Sequence, residues 1–94
     1  MSVRLTVQMQ VQPGKSQEFE TIARAAAARV RAEDKGCEMY DLFRSVDDET
    51  RYVLVESWAT ADDLKQHGSS PGVGDMRKVG PLLSAKTVMH RYED

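Results

Sequence analysis

From Val3 to Val11 the chain alternates without a break, with Val3, Leu5, Val7, Met9 and Val11 on one side and Arg4, Thr6, Gln8 and Gln10 on the other. A period of two belongs to a strand with one face buried. The chain is thereby committed to a sheet, and other segments must cover its apolar side. Pro13-Gly14 ends the extended run. Beyond it Phe19, Ile22, Ala23, Ala26 and Val30 recur at helical spacing, with Glu18 and Glu20 near the start and Arg29 and Arg31 near the end, as the helix dipole favours. The pattern predicts a long amphipathic helix over about Lys15–Asp34, closed by Gly36 in a left-handed conformation.

Two strands follow, Cys37–Val46 and Arg51–Ala59, joined by Asp47-Asp48-Glu49-Thr50, and so short a link implies an antiparallel hairpin. On the second of them Val53 and Val55 point one way while Tyr52, Leu54 and Trp58 point the other. Both faces are apolar, unlike a sheet with one solvated side. Thr60 and Asp63 stand at capping-box spacing before a short helix that ends at His67-Gly68. Ser70-Pro71 starts another, with Val73, Met76 and Val79 as a broken apolar stripe before Gly80-Pro81. A last strand is expected over about Ser84–Tyr92. The order strand, helix, strand, strand, helix, strand is that of an α+β, ferredoxin-like split βαβ fold, a four-stranded antiparallel sheet with helices on one face. The second apolar face then calls for a second copy of the chain, which would make a dimeric barrel.

With 94 residues the chain has material for a single domain, 1–94, whose small core leaves a thin stability margin that dimerisation would widen. Thirteen basic and fifteen acidic residues are interspersed, so there is no electrostatic footprint for nucleic acid. The longest apolar run, Ala25–Ala28, is far below the roughly 20 residues of a membrane span, and a soluble cytoplasmic protein is expected. Cys37 is the lone cysteine, and with only His67 and His90 beside it no zinc-type spacing exists. A small buried hydrophobe is its expected role, and His90 reads as structural.

Gly36-Cys37-Glu38-Met39-Tyr40-Asp41-Leu42, then Val55-Glu56-Ser57-Trp58 followed by Leu64 and His67, together with the opening strand and Pro13-Gly14, resemble the antibiotic biosynthesis monooxygenase family over almost the whole chain. The tryptophan closing the third strand, with a histidine nine residues later, is the most diagnostic piece. The resemblance implies a dimeric α+β barrel with a pocket between sheet and helices in each subunit. It also implies oxidation of anthrone- or quinol-like aromatics by molecular oxygen with no metal or flavin as cofactor. Other relatives degrade haem, using an asparagine, a tryptophan and an iron-binding histidine where this chain has Val7, His67 and Arg77. These departures point away from haem, since a guanidinium offers iron no lone pair. A common Ser-Pro-His element reads Ser70-Pro71-Gly72 here, without its last polar group.

Each candidate carries a plain reading beside a functional one. Trp58 is either core or a wall stacking on an aromatic substrate. His67 is either a solvated cap at a helix end or the general base that removes a phenolic or benzylic proton. Arg77 and Arg44 are surface residues or fixed charges that steady a developing anion. Tyr40 and Tyr52 pack, or orient a substrate oxygen. Met9, Met39, Met76 and Met89 fill gaps in a core, or line an adaptable cavity, with Met76 among the substrate contacts. The functional readings together describe a cofactor-independent monooxygenase acting on a small electron-rich aromatic and O2. The plain readings describe a non-catalytic dimer that binds a small apolar molecule or serves assembly.

Overall fold

The alternating segment forms β1 (Val3–Gln10), the first strand of a computed structural model that describes residues 2–93. Met1 and Asp94, the ends of the expected domain, lie outside the described residues. α1 (Ser16–Glu33), β2 (Cys37–Arg44), β3 (Arg51–Trp58), α2 (Ala61–His67) and α3 (Pro71–Met76) follow, then a 3-10 helix over Arg77–Leu82 and β4 (Val88–Glu93). The strands form one antiparallel sheet in the order β2-β3-β1-β4, the expected ferredoxin-like α+β topology. In this register Tyr40, Glu56, Leu5 and Arg91 stand side by side across the sheet, and Leu42, Leu54, Val7 and Met89 form the next row.

α1 lays Phe19, Ala23, Ala26, Ala27 and Val30 on the face made by Val7, Met9, Tyr52, Leu54 and Trp58. The alanines let helix and sheet approach closely, while Phe19 and Tyr52 meet with ring centroids 4.6 Å apart. The β2–β3 hairpin is fixed by Asp48, whose Oδ1 accepts from the Thr50 amide at 2.9 Å and from its hydroxyl at 2.7 Å. α3 crosses α1 at Gly72, where a Cβ would sit 2.6 Å from Val30 Cγ2. A larger side chain after Ser70-Pro71 has no room here, which accounts for the missing polar group.

Several strand ends differ from the sequence reading. β2 ends at Arg44, not Val46, and β3 at Trp58, not Ala59. The last strand begins at Val88, not Ser84: Leu83 bridges to Val11 and the Ser84 amide donates to Gln10 O at 2.9 Å, but a bend at Ser84-Ala85 interrupts the pairing until Val88 meets Gln8. β1 ends at Gln10, and Val11 beyond it forms the isolated bridge to Leu83. The sheet face away from the helices has half-buried Val53 and Val55, with Phe43, Val88 and Tyr92 exposed. Among the described residues no helix is long and apolar enough to cross a membrane.

Candidate active site

α2 is held at its first turn from two sides. Thr60 Oγ1 accepts from the Asp63 amide at 3.1 Å, the expected cap. Gly36, at φ 78°, turns the chain from α1 into β2, and a Cβ there would run into the Asp63 carboxylate. This close approach seats the last residue of the helix, His67, inside the protein.

The imidazole is only 5% exposed, so the solvated-cap reading of His67 is overturned. It lies against Trp58 with ring centroids 4.4 Å apart and edge-on to Tyr40 at 5.3 Å. Nδ1 donates to Asp34 Oδ2 at 2.5 Å, and Nε2 is 3.9 Å from Glu56 Oε1. Asp34 Oδ2 also accepts from Ser70 Oγ at 2.8 Å, and Glu56 Oε1 from Trp58 Nε1 at 3.0 Å. A histidine with its Nδ1 proton fixed on a carboxylate presents Nε2 as its basic atom. Burial pushes the Glu56 carboxyl above the usual carboxylate range, partly opposed by the Trp58 hydrogen bond and the His67 charge. Burial likewise raises the Tyr40 phenol, reinforced by the Glu56 and Asp34 charges. The Cys37 thiol is raised by burial and by the same two carboxylates, in keeping with an inert cysteine.

His67, Glu56 and Tyr40 form the polar wall of a cleft of about 560 Å³ between the sheet and the α2–α3 layer. Val7, Leu54, Val73, Met76 and Val79 give it an apolar lining, and Arg77 and Arg91 also border it. This volume falls within the usual range for small-molecule sites. His67 also borders a smaller cleft of about 290 Å³ on its other side, together with Asp34 and Ser70.

Six of the residues singled out from sequence thus meet at one cleft: His67, Arg77, Tyr40, Met9, Met76 and Met89. Trp58 is fully buried behind the imidazole and outside the cleft lining. Arg44 and Tyr52 lie toward the other end of β3, where both reach Glu20, the tyrosine at 2.5 Å and the arginine at 3.3 Å. They line a separate cleft of about 540 Å³. Glu56, Asp34 and Ser70 were given no chemical role from sequence. Glu56 did carry a signal, since a carboxylate between Leu54 and Trp58 occupies an inward position of an apolar strand face.

The antibiotic biosynthesis monooxygenase family model matches residues 2–79. A Bacillus subtilis protein named "Putative monooxygenase YcnE" is 33% identical over 90 residues, covering 95% of this chain and 94% of that protein. A Caulobacter crescentus crystal structure described as a "putative antibiotic biosynthesis monooxygenase" is 31% identical, with a TM-score of 0.93 over 99% of this chain and 89% of that one. A Nitrosomonas europaea structure of the same description, at 22% identity, has a TM-score of 0.93 over the same 99% and 89% and supports the fold.

Proposed function

Since the chain belongs to the antibiotic biosynthesis monooxygenase family, we propose that it is a cofactor-independent monooxygenase oxidising a small electron-rich aromatic, a hydroquinone or anthrone, with O2. The observation that carries this reading is a buried imidazole, fixed by Asp34, on the wall of an otherwise largely apolar cleft. Such a base can take a benzylic or phenolic proton where water is scarce. The carbanion or enolate left behind is electron-rich enough to pass an electron to O2, and recombination gives a peroxide. Loss of water from the peroxide leaves a carbonyl, so that CH2 and O2 become C=O and H2O.

His67 Nε2 takes the proton, and Arg77, at the edge of the cleft, steadies the anion. Tyr40 presents a phenol that stays protonated, able to donate to a substrate oxygen. Trp58 serves from behind, its ring holding the imidazole in place. Met76 gives the lining an adaptable side chain against the aromatic body. Val7 and Arg77 both border the cleft where haem-degrading relatives carry an amide and an iron ligand, which speaks against haem breakdown.

The working form is a homodimer in the cytoplasm. The apolar sheet face with Phe43, Val88 and Tyr92 exposed supports the pairing, and a single unpaired cysteine suits a reducing compartment. Oxygen uptake on a panel of hydroquinones and anthrones, with chelator present, tests the chemistry. His67→Ala should lower turnover by about 10²–10⁴-fold, the usual worth of a general base. Saturable binding of these aromatics with no oxygen uptake by the wild type would favour the non-catalytic small-ligand dimer instead.

A further inference from the structure

The reaction just described asks for two different proton services. A C–H proton must be removed before O2 reacts, and oxygen must be protonated afterwards, first as the peroxide forms and again as hydroxide departs. One imidazole that has just taken a proton cannot take the next until it is emptied. The structure places a second titratable group beside it, on the same cleft. Glu56 lies on β3, its side chain 5% exposed, with Oε1 3.9 Å from His67 Nε2 and also accepting from Trp58 Nε1. The position is costly for a carboxylate, since a buried charge without full pairing is strongly disfavoured. A purely structural role is poorly suited to that cost, because the surrounding apolar row of Leu54 and Val7 would pack as well around an apolar side chain.

We propose that Glu56 is the general acid of this site, paired with His67 as general base, and that Asp34 is the positioning residue that holds the Nδ1–H and so makes Nε2 the basic atom of the neutral ring. The inference rests on the monooxygenase reading and assigns the group that completes its proton balance. In the first half, His67 Nε2 takes a proton from the substrate carbon, whose C–H electron pair remains on the substrate. The substrate is oxidised by O2 to a peroxide anion, and Glu56 in its acid form protonates that oxygen. The imidazolium then passes its proton to the Glu56 carboxylate, 3.9 Å away, through one bridging water or by closure of the two side chains to hydrogen-bond distance, restoring both groups. In the second half, His67 takes the remaining C–H proton and that electron pair forms the C=O bond. The O–O bond breaks, and hydroxide leaves as water with the proton from Glu56. A final transfer from His67 to Glu56 resets the pair, so two hydrogens leave on one oxygen atom with no net proton released.

Environments that separate two neighbouring titratable groups are how acid and base roles are assigned within one site. Burial favours the uncharged acid form of Glu56, while the Nδ1 bond to Asp34 fixes the tautomer of His67. The other titratable or charged groups around the imidazole are Tyr40 and Cys37 from β2, Arg77 from the 3-10 helix, Arg91 from β4, and Asp63 on its own helix. Among the described residues, the ion pairs formed by His67 are those with Asp34 and Glu56.

Glu56→Gln keeps the side-chain size and an oxygen for the Trp58 N–H, but it cannot donate an acidic proton. Oxygen-uptake kinetics should show kcat reduced about 10²-fold with KM within threefold of the wild type. The wild-type kcat/KM should fall on the alkaline side as Glu56 ionises, and Glu56→Gln should lose that limb. Asp34→Asn should lower kcat with KM within threefold of the wild type, because the Nδ1–H loses its charged acceptor. Turnover of Glu56→Gln within threefold of the wild type, with His67→Ala inactive, would overturn the pairing and leave the monooxygenase reading standing.

A readout independent of turnover is the imidazole nitrogen NMR of the 15N-labelled protein, in which a His90→Gln variant leaves His67 as the single histidine. In the wild type His67 should show two linked titration steps, reduced to one in Glu56→Gln. A single unlinked step for His67 in the wild type would overturn the pairing even if Glu56→Gln does not fold or no substrate in the panel turns over.

Discussion

The cleft at His67 and the cleft at Arg44 enclose nearly the same volume, about 560 and about 540 Å³, yet they differ in what their walls cost the protein. At the Arg44 end the charges are met by partners near solvent: Arg44 and Arg24 both reach Glu20, and Arg31 reaches Asp41. Pairs of that kind are cheap to keep and contribute about 0–1 kcal/mol each. At the His67 end an imidazole and two carboxylates lie almost completely buried, against a stacked tryptophan and an apolar lining. Size does not mark a reactive site. Titratable groups kept out of water are what set the His67 cleft apart, and perturbed groups of that kind cluster at functional sites.

The largest expected effect separates the two ends by activity. His67→Ala should cost about 10²–10⁴ in oxygen uptake, whereas Arg44→Ala should stay within about twofold of the wild type. A comparable loss in both variants would erase the distinction. Next comes Trp58→Ala, which empties the core behind the imidazole and should cost about 3–5 kcal/mol in a denaturant titration. A loss below 1 kcal/mol would mean that the indole is not packed as described.

A pH-dependent effect follows from Glu56. Its folded-state carboxyl titrates above its unfolded value, so its contribution is most favourable below the ordinary glutamate range and is lost as pH rises through the raised folded value. Glu56→Gln should therefore gain stability relative to the wild type as pH rises from about 4 towards neutrality. Thermal unfolding of both proteins across that range measures the gap, and a gap that narrows with pH reverses the sign. The smallest effect belongs to the Arg44 end: Glu20→Gln should change stability by no more than about 1 kcal/mol, and salt should weaken the wild type towards the variant.

The frame was legible because its signals are local. Alternation in Val3–Gln10, the Asp48 turn, the Thr60 and Ser70 caps and the positive φ at Gly36 are each set by residues close together in sequence. The site was legible only in part. His67 looked like a solvated cap because helix position says nothing of Asp34, which meets it from 33 residues away. Arg44 and Tyr52 were grouped with Trp58 on shared chemistry, although Tyr52 and Trp58 stand six residues apart on one strand, about 20 Å at strand rise. The start of β4 escaped because Thr87 and its neighbours have strand-forming side chains, while a bend at Ser84-Ala85 breaks the pairing with β1 until Val88.

Trp58 is the chain's single indole, and its ring lies 4.4 Å from the His67 imidazole. Protonated imidazole is an efficient quencher of tryptophan emission, whereas the neutral ring is a poor one. The protein accordingly carries a built-in lamp whose brightness should follow the charge on its own base, allowing stopped-flow fluorescence to watch the proton arrive and depart without any added dye.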